Sequence, residues 1–267
     1  YGAAYPEGGR LLARAAAVED KVARVREGGA DAGALASRVE AEFTELRRQA
    51  LLAHPVLRKH PVLFVTRRQY RPDHHNTATL FQVGEVNTAS FEGGGALKTI
   101  DFARGGAVTT LLELPDGVVR DPEVSFDGDR IVFSMRRHRR DDYHIYECAA
   151  DGSGLRQLTR TPRVSDIDPL YLPDGHIVFS STREPKYCMC NQHIMANLFR
   201  MDADGANVLQ IGKSTLFEGH AALMADGRIL YDRWEYVDRN FGDAQGLWTV
   251  NPDGTNHAIY YGNNTWS

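Results

Sequence analysis

The amino-acid sequence predicts a mainly β protein: a β-propeller of about three and a half four-stranded blades, preceded by an α-helical hairpin. Three observations carry this prediction. An internal repeat comes first, because "DPEVSFDG" from Asp121, "DPLYLPDG" from Asp168 and "HAALMADG" from His220 align without a gap, each followed by an apolar strand ("RIVFSM", "HIVFSS", "RILYDR"). A second set of Asp-Gly turns, with glycines at 152, 205 and 254, recurs about every 50 residues. Finally, the hydrophobic period falls from about 3.6 to 2 after Pro61.

Residues 1–55 form the predicted hairpin and residues 56–267 the blades. From Gly9 to Glu27 apolar residues recur at helical spacing (Leu11, Leu12, Ala15, Val18, Val22, Val25), with charged residues between them. Gly28-Gly29 breaks the pattern, and Asp31 can cap a second helix that carries Leu35, Val39, Phe43, Leu46 and Leu51 on one face. A hairpin packed by these stripes is expected, with an exposed coiled-coil arm as the alternative.

A degenerate first unit spans residues 56–117, with "VLFVTRR", "GALKTIDF" and "VTTLLEL" as its second, third and fourth strands. Three full units follow. Their third strands run into the second set of turns ("HIYECAADG", "NLFRMDADG", "GLWTVNPDG"), and "LRQLTR", "NVLQIG" and "NHAIYY" close them. Propellers have about four to eight blades, so a six-bladed parent with further blades after Ser267 is expected, a closed four-bladed ring being the alternative. The chain also opens on Tyr1 rather than Met, which suits a piece of a longer protein.

Of 267 residues, 42% are hydrophobic and 25% charged, and the formal net charge is -4, so no basic excess points to nucleic acid. No apolar run reaches the ~20 residues of a membrane-crossing helix. Three cysteines are an odd number, which argues against a disulfide framework. Cys148 lies mid-strand and reads as core.

In a four-stranded antiparallel blade the first and third connections lie on one side and the second on the other. Here the short Asp-Gly turns occupy the first side, so the long insertions share the second. Those insertions hold the unusual residues: Arg67, His74 and His75 in the first unit, "RRHRRDDYH" in the second, "REPKYCMCNQHIMA" in the third and "RWEYVDRNFGDAQG", with Arg233 and Trp234, in the fourth. The blade-opening residues Asp121, Asp168 and His220, with Glu218 beside the last, are expected near the central channel on that side. A rigid scaffold displaying functional loops has this distribution.

"CMCNQH" places Cys188, Cys190 and His193 within six residues, and thiolate with imidazole suits tetrahedral zinc. The cluster supplies two or three ligands, since a one-residue spacer strains joint chelation. His220, standing where the two preceding blades have aspartate, is the best outside candidate. Inward packing of the cysteines and a redox-active thiol pair are the alternatives. "RRHRR" can grip an anion or be neutralised by Asp141 and Asp142 beside it.

The runs "YLPDGHIVFSSTRE" and "NLFRMDADGANV" resemble TolB-type propeller repeats. More narrowly, "REPKYCMCNQHIMANLFRMDADGANV", "FEGHAALMADGRILYDRWEYVDRNFGDAQGLWTVNPDGTNH" and "VLFVTRR" before His74-His75 resemble the propeller domain of hydrazine synthase alpha subunit-like proteins of planctomycete-type bacteria. The resemblance implies an exported, periplasmic-type multidomain protein whose six-bladed propeller sits beside domains that can carry c-type haem. In the characterised enzyme, haem and zinc at the alpha subunit assemble hydrazine. This chain has no Cys-x-x-Cys-His, so no covalent c-type haem is held within these residues, and hydrazine synthesis itself is not expected.

Two functions follow. In one, the long-loop side is a metal-dependent site of a redox protein, with Cys188, Cys190, His193 and His220 inside and other domains of the same chain or a protein partner completing it. In the other, the propeller is a non-catalytic platform for a protein or glycan. No Gly-x-Ser-x-Gly elbow supports a hydrolase.

Overall fold

The computed structural model describes residues 5–29, 31–68, 91–187, 195–235 and 244–262. The chain divides into two compact units, Tyr1–Leu63 with Thr99–Thr109, and Phe64–Lys98 with Thr110–Ser267.

In the first unit, α1 (Gly8–Glu27) and α2 (Ala32–Leu52) form the hairpin. Gly28 ends α1 at φ 79°, a left-handed value that costs glycine nothing. Leu11, Val18, Val39 and Leu46 are buried between the helices, each pair seven residues apart. Tyr5 donates from its hydroxyl to the Ala50 carbonyl at 2.5 Å, and Lys21 pairs with Glu42 at 2.6 Å. The expected stripe is wider than the buried one: Leu12, Phe43 and Leu51 are 73%, 52% and 57% exposed. Two helices alone bury a seam about two positions per heptad wide, and the flanks of each stripe stay outside it.

The strands form four antiparallel sheets. The first holds β1 (Val62–Arg67), β2 (Gly95–Asp101) and β3 (Ala107–Leu114) in that order, matching the degenerate unit without a first strand among the described residues. The second holds β4 (Val118–Val124), β5 (Arg130–Arg136), β6 (His144–Ala149) and β7 (Arg156–Gln157). The third holds β8 (Asp166–Tyr171), β9 (Ile177–Ser181), β10 (Asn197–Met201) and β11 (Leu209–Gln210). The fourth holds β12 (Phe217–Leu223), β13 (Ile229–Trp234), β14 (Gln245–Val250) and β15 (Ala258–Gly262). Each full sheet is an up-and-down meander whose first strand lies against its neighbours' first strands, β4 on β8 and β8 on β12.

Period-2 alternation puts successive side chains of one strand into different cores. Ile177 and Phe179 of β9 pack with Val132, Ile145 and Leu158 of the preceding blade, whereas Val178 packs with Ile229, Tyr231 and Val250 of the following one. A strand buried on both faces reads as a continuous apolar run, and "HIVFSS" does. Full burial of one such side chain contributes about 1.5–3 kcal/mol.

The Asp-Gly turns repeat in geometry. Gly128, Gly175 and Gly227 sit at φ 75°, 88° and 87°, each donating its N–H to the carbonyl three residues earlier. The second turns do more. A Cβ on Gly152, Gly205 or Gly254 would lie 2.7 Å from the Leu111 carbonyl oxygen, 2.4 Å from that of Leu158, or 3.0 Å from Ile211 Cβ, always the outermost strand or its end in the preceding blade. Each blade is thus keyed to the one before by backbone that admits no side chain. Gly205→Ala, which meets that carbonyl at φ 89°, should be less stable than Gly175→Ala, which at φ 88° faces open space. Strain alone costs about 1–2 kcal/mol and forced packing about 1–3 kcal/mol more. Equal melting temperatures for the two variants would remove the keying.

Candidate functional site

Asp121, Asp168 and His220 do come together, though not at blade openings. Each stands mid-way along the inner strand of its blade, with φ of 51°, 53° and 51°, where the strand pairing shifts register. A left-handed residue at a bulge turns its side chain out of the pleat. Here it points along the row of blades: Asp121 Oδ2 accepts the Asp168 N–H at 3.3 Å, and Asp168 Oδ2 accepts the His220 N–H at 3.4 Å. Beside this row lies a cavity of about 250 Å³ lined by Asp121, Pro122, Glu123, Asp168, Pro169, His220 and Ala221.

Two residues not singled out in the sequence complete the electrostatics. Arg120, 7% exposed, donates from Nε to Asp121 Oδ2 at 2.5 Å and approaches Asp168 Oδ1 at 3.6 Å. Asp232 of β13 lies 3.0 Å from His220 Nδ1, while His220 Nε2 is 3.9 Å from Asp168 Oδ2. Asp232 was legible: it occupies the position of Ser134 and Ser180 in the aligned strands "RIVFSM", "HIVFSS" and "RILYDR", in the same blade in which His replaces Asp. Arg120 left no such trace, since Ile167 and Gly219 stand at its place in the other blades.

Burial pushes the Asp168 carboxyl up to about 7, and the neighbouring Asp121 charge adds to it. Burial acts on Asp121 as well, but Arg120 outweighs it and holds that carboxyl below the usual range. The hydrogen bond that the His220 ring donates to the Asp232 carboxylate holds His220 up at about 9. Glu123 is raised by burial alone. The last proton of the aspartate pair is therefore held into the neutral range on Asp168, between the Arg120 guanidinium and the His220 imidazole.

The other expected site residues have separate places. Glu218, fully buried, accepts from Asn197 Nδ2 at 2.9 Å and from the Ser214 N–H at 3.1 Å. A Cβ on Gly212 would lie 1.8 Å from its Oε2, so that glycine makes room for the carboxylate. Arg233 donates to Glu235 at 2.9 Å, approaches Glu218 at 3.6 Å and lies 4.5 Å above the Trp248 ring. Trp234 packs against a cluster with Met195, Ala196, Leu216 and Phe217. Arg67 is exposed in β1. Arg137 of the basic run is bound by Asp141 at 2.9 Å, the local neutralisation considered above. Cys148 is buried, with its thiol pushed up to about 11 by burial. Cys188, Cys190, His193, His74 and His75 lie outside the described residues. The base of the cysteine segment is described, and there the Met195 N–H donates to the Lys186 carbonyl at 3.0 Å. Among the described residues no three His, Cys, Asp or Glu side chains are grouped to hold a metal ion.

No protein-family model matches the chain, and no curated protein matches it either. Solved structures do. Hydrazine synthase of Kuenenia stuttgartiensis superposes with a TM-score of 0.59 at 18% identity, over 78% of this chain and 33% of that one. A TolB from Agrobacterium tumefaciens superposes with a TM-score of 0.50 at 18% identity, over 66% of this chain and 57% of that one. The fold is a β-propeller. The resemblance to hydrazine synthase and TolB-type propellers read from the repeats therefore holds at the level of fold. The chain spans about a third of the hydrazine synthase chain and somewhat over half of the TolB chain. No described helix is long and apolar enough to cross a membrane.

Two outcomes test the cluster. Arg120→Met leaves two buried carboxylates without their shared cation and should cost about 3–5 kcal/mol in urea unfolding, most of it recovered when Asp121→Asn and Asp168→Asn are added. A loss below about 1 kcal/mol for the single variant would count against the arrangement. The pH dependence has a definite sign, because both raised groups favour the proton-bound form of the fold. The contribution of Asp168 is complete below its ordinary value of 3.8 and lost by about 7, and that of His220 is complete below 6.5 and lost by about 9. Thermal stability should therefore fall between about pH 4 and 9, with His220→Gln flattening the upper half of the profile; an unchanged upper half in that variant assigns the effect elsewhere.

Proposed function

We propose that this chain is the propeller portion of a larger exported protein, and that the channel side around His220 forms one wall of a zinc site completed by Cys188, Cys190 and His193. The observation that supports it is the setting of His220. Its Nδ1 is backed by the Asp232 carboxylate at 3.0 Å, which leaves Nε2 as the donor on the cavity side. Imidazole ligands of zinc regularly carry such a carboxylate on the far nitrogen, where it fixes the tautomer and raises basicity. The donor types fit zinc, which takes thiolate, imidazole and carboxylate.

Within this reading the propeller holds and orients. Arg120 and Asp121 keep the inner strands together, Asp232 holds the His220 ring, and Pro122, Pro169 and Ala221 complete the cavity lining. Bound zinc would act as a Lewis acid toward an oxygen or nitrogen ligand, or stiffen the cysteine segment. Redox chemistry, suggested by the resemblance to hydrazine synthase, would come from other domains of the longer chain or a protein partner, since these residues carry no c-type haem motif. Export is likewise inferred from that resemblance. A second reading, a non-catalytic platform for a protein or glycan, draws on the exposed Arg139, Arg140 and Tyr187 of the long-loop segments.

Metal analysis of the purified chain after chelation and reloading separates the two. Close to one zinc per chain is expected, falling to background in Cys188→Ser/Cys190→Ser and in His220→Ala. Wild-type protein that retains no stoichiometric zinc would leave the binding platform as the better account.

A further inference from the structure

We infer that the long-loop rim of the second blade is a docking surface for an acidic peptide segment of a partner protein. The inference uses no zinc; it rests on the platform reading above and gives that platform its partner. Two stretches form the rim, residues 136–142 between β5 and β6 and residues 158–165 between β7 and β8, on the same side of the blade. Together they hold six arginines and two aspartates. That is +4 in a chain whose formal net charge is -4, so the remaining residues carry -8. Positive charge is gathered on one rim of an otherwise acidic protein.

The neutralisation of "RRHRR" is partial. Asp141 accepts from Arg137 Nε at 2.9 Å and from the Arg137 N–H at 3.0 Å, and Asp142 accepts the Arg163 N–H at 2.8 Å. Both carboxylates are thereby engaged. Arg139, Arg140, Arg160 and Arg163 are exposed, and among the described residues their guanidinium groups make no hydrogen bond or ion pair.

The backbone that carries these four arginines is held stiff. Arg136 is 1% exposed; its guanidinium lies 4.5 Å from the centre of the Phe91 ring and donates to the His138 carbonyl at 3.3 Å and to the Arg139 carbonyl. His138 Nδ1 accepts the Arg140 N–H at 3.2 Å. The second stretch is tied to the first at Arg163, where Asp142 holds a residue at a left-handed φ of 59°, and at Ser165, whose Oγ accepts the Tyr143 N–H at 3.3 Å. Loops fixed in this way have less conformational freedom to lose on binding. Guanidinium forks match carboxylates bidentately, so four of them on one frame suit a run of Asp or Glu. A long polyanion fits less well, because beyond the rim it meets the residues that carry -8.

The test uses the full chain and a fluorescein-labelled oligoglutamate peptide, followed by fluorescence anisotropy. Saturable binding is expected, weakening as salt rises because exposed charges are screened. Arg139→Gln/Arg140→Gln should weaken it about 10-fold, and adding Arg160→Gln/Arg163→Gln about 10-fold more. None of these guanidinium groups is bonded within the described residues, so melting temperatures should stay at the wild-type value. Arg130→Gln/Arg228→Gln removes the same charge beside the Asp-Gly turns, at the opposite ends of the strands, and should leave affinity unchanged. Equal weakening by that control pair overturns the inference. A sulfated heparin oligosaccharide that binds the rim more tightly than oligoglutamate overturns the peptide partner and leaves the platform standing. Wild-type protein that binds neither ligand removes both from this surface.

Discussion

The inner strands of this propeller depend on one backbone irregularity, repeated three times. At Asp121, Asp168 and His220 the chain takes a left-handed step inside a β-strand, a conformation that costs a non-glycine residue about 1–2 kcal/mol. The expense is offset across the blade boundary, not within the blade. At Asp168 and His220 the N–H of the bulged residue is accepted by the side chain of the equivalent residue in the preceding blade. The strain of one blade is thus relieved by its neighbour, and an isolated blade would bear it unrelieved. Cooperativity between repeats follows from this as much as from apolar packing.

The same handoff concentrates charge. Two carboxylates at adjacent rungs repel, and burial makes the repulsion expensive. The chain places a guanidinium at one end of the row and an imidazole at the other, so each carboxylate has a cation within reach. Where the rung becomes His220, the neighbouring strand supplies Asp232 in place of the serines of the earlier blades. At this rung the two changes come together, and the local charge stays near balance while its chemistry changes from carboxyl to imidazole.

The blades were legible because their signals are local and repeated. Asp-Gly turns, apolar four-residue runs and a period near 50 residues agree at every level, and Ile177–Ser181 shows its two-sided burial directly in "HIVFSS". The convergence of Asp121, Asp168 and His220 was also legible, because aligned repeats place equivalent residues side by side. Their exact setting was not. The inner strands begin at Val118, Asp166 and Phe217, two or three residues before the aligned motif, because a bulge interrupts the alternation that marks a strand. Arg120 carries no signal in the sequence for a related reason: a charged residue in a strand reads as solvent-facing, and only the tertiary arrangement brings two carboxylates to it. The helical stripes are wider than the seam they bury, since periodicity reports which residues can be buried and not how many neighbours exist to cover them.

The keyed glycines at 152, 205 and 254 carry a consequence for how such a chain can lengthen. Each blade brings a turn that fits the rim of the blade before it and presents, at its own outer strand, the rim for the next. Duplication of one whole unit inserts a matching plug and socket together, so both junctions remain native. Loss or gain of a few residues inside a unit disturbs plug and socket at once. Growth by recombination of complete modules is then the low-barrier route, and differences in blade number between related proteins are easier to reach than differences in the length of any one blade.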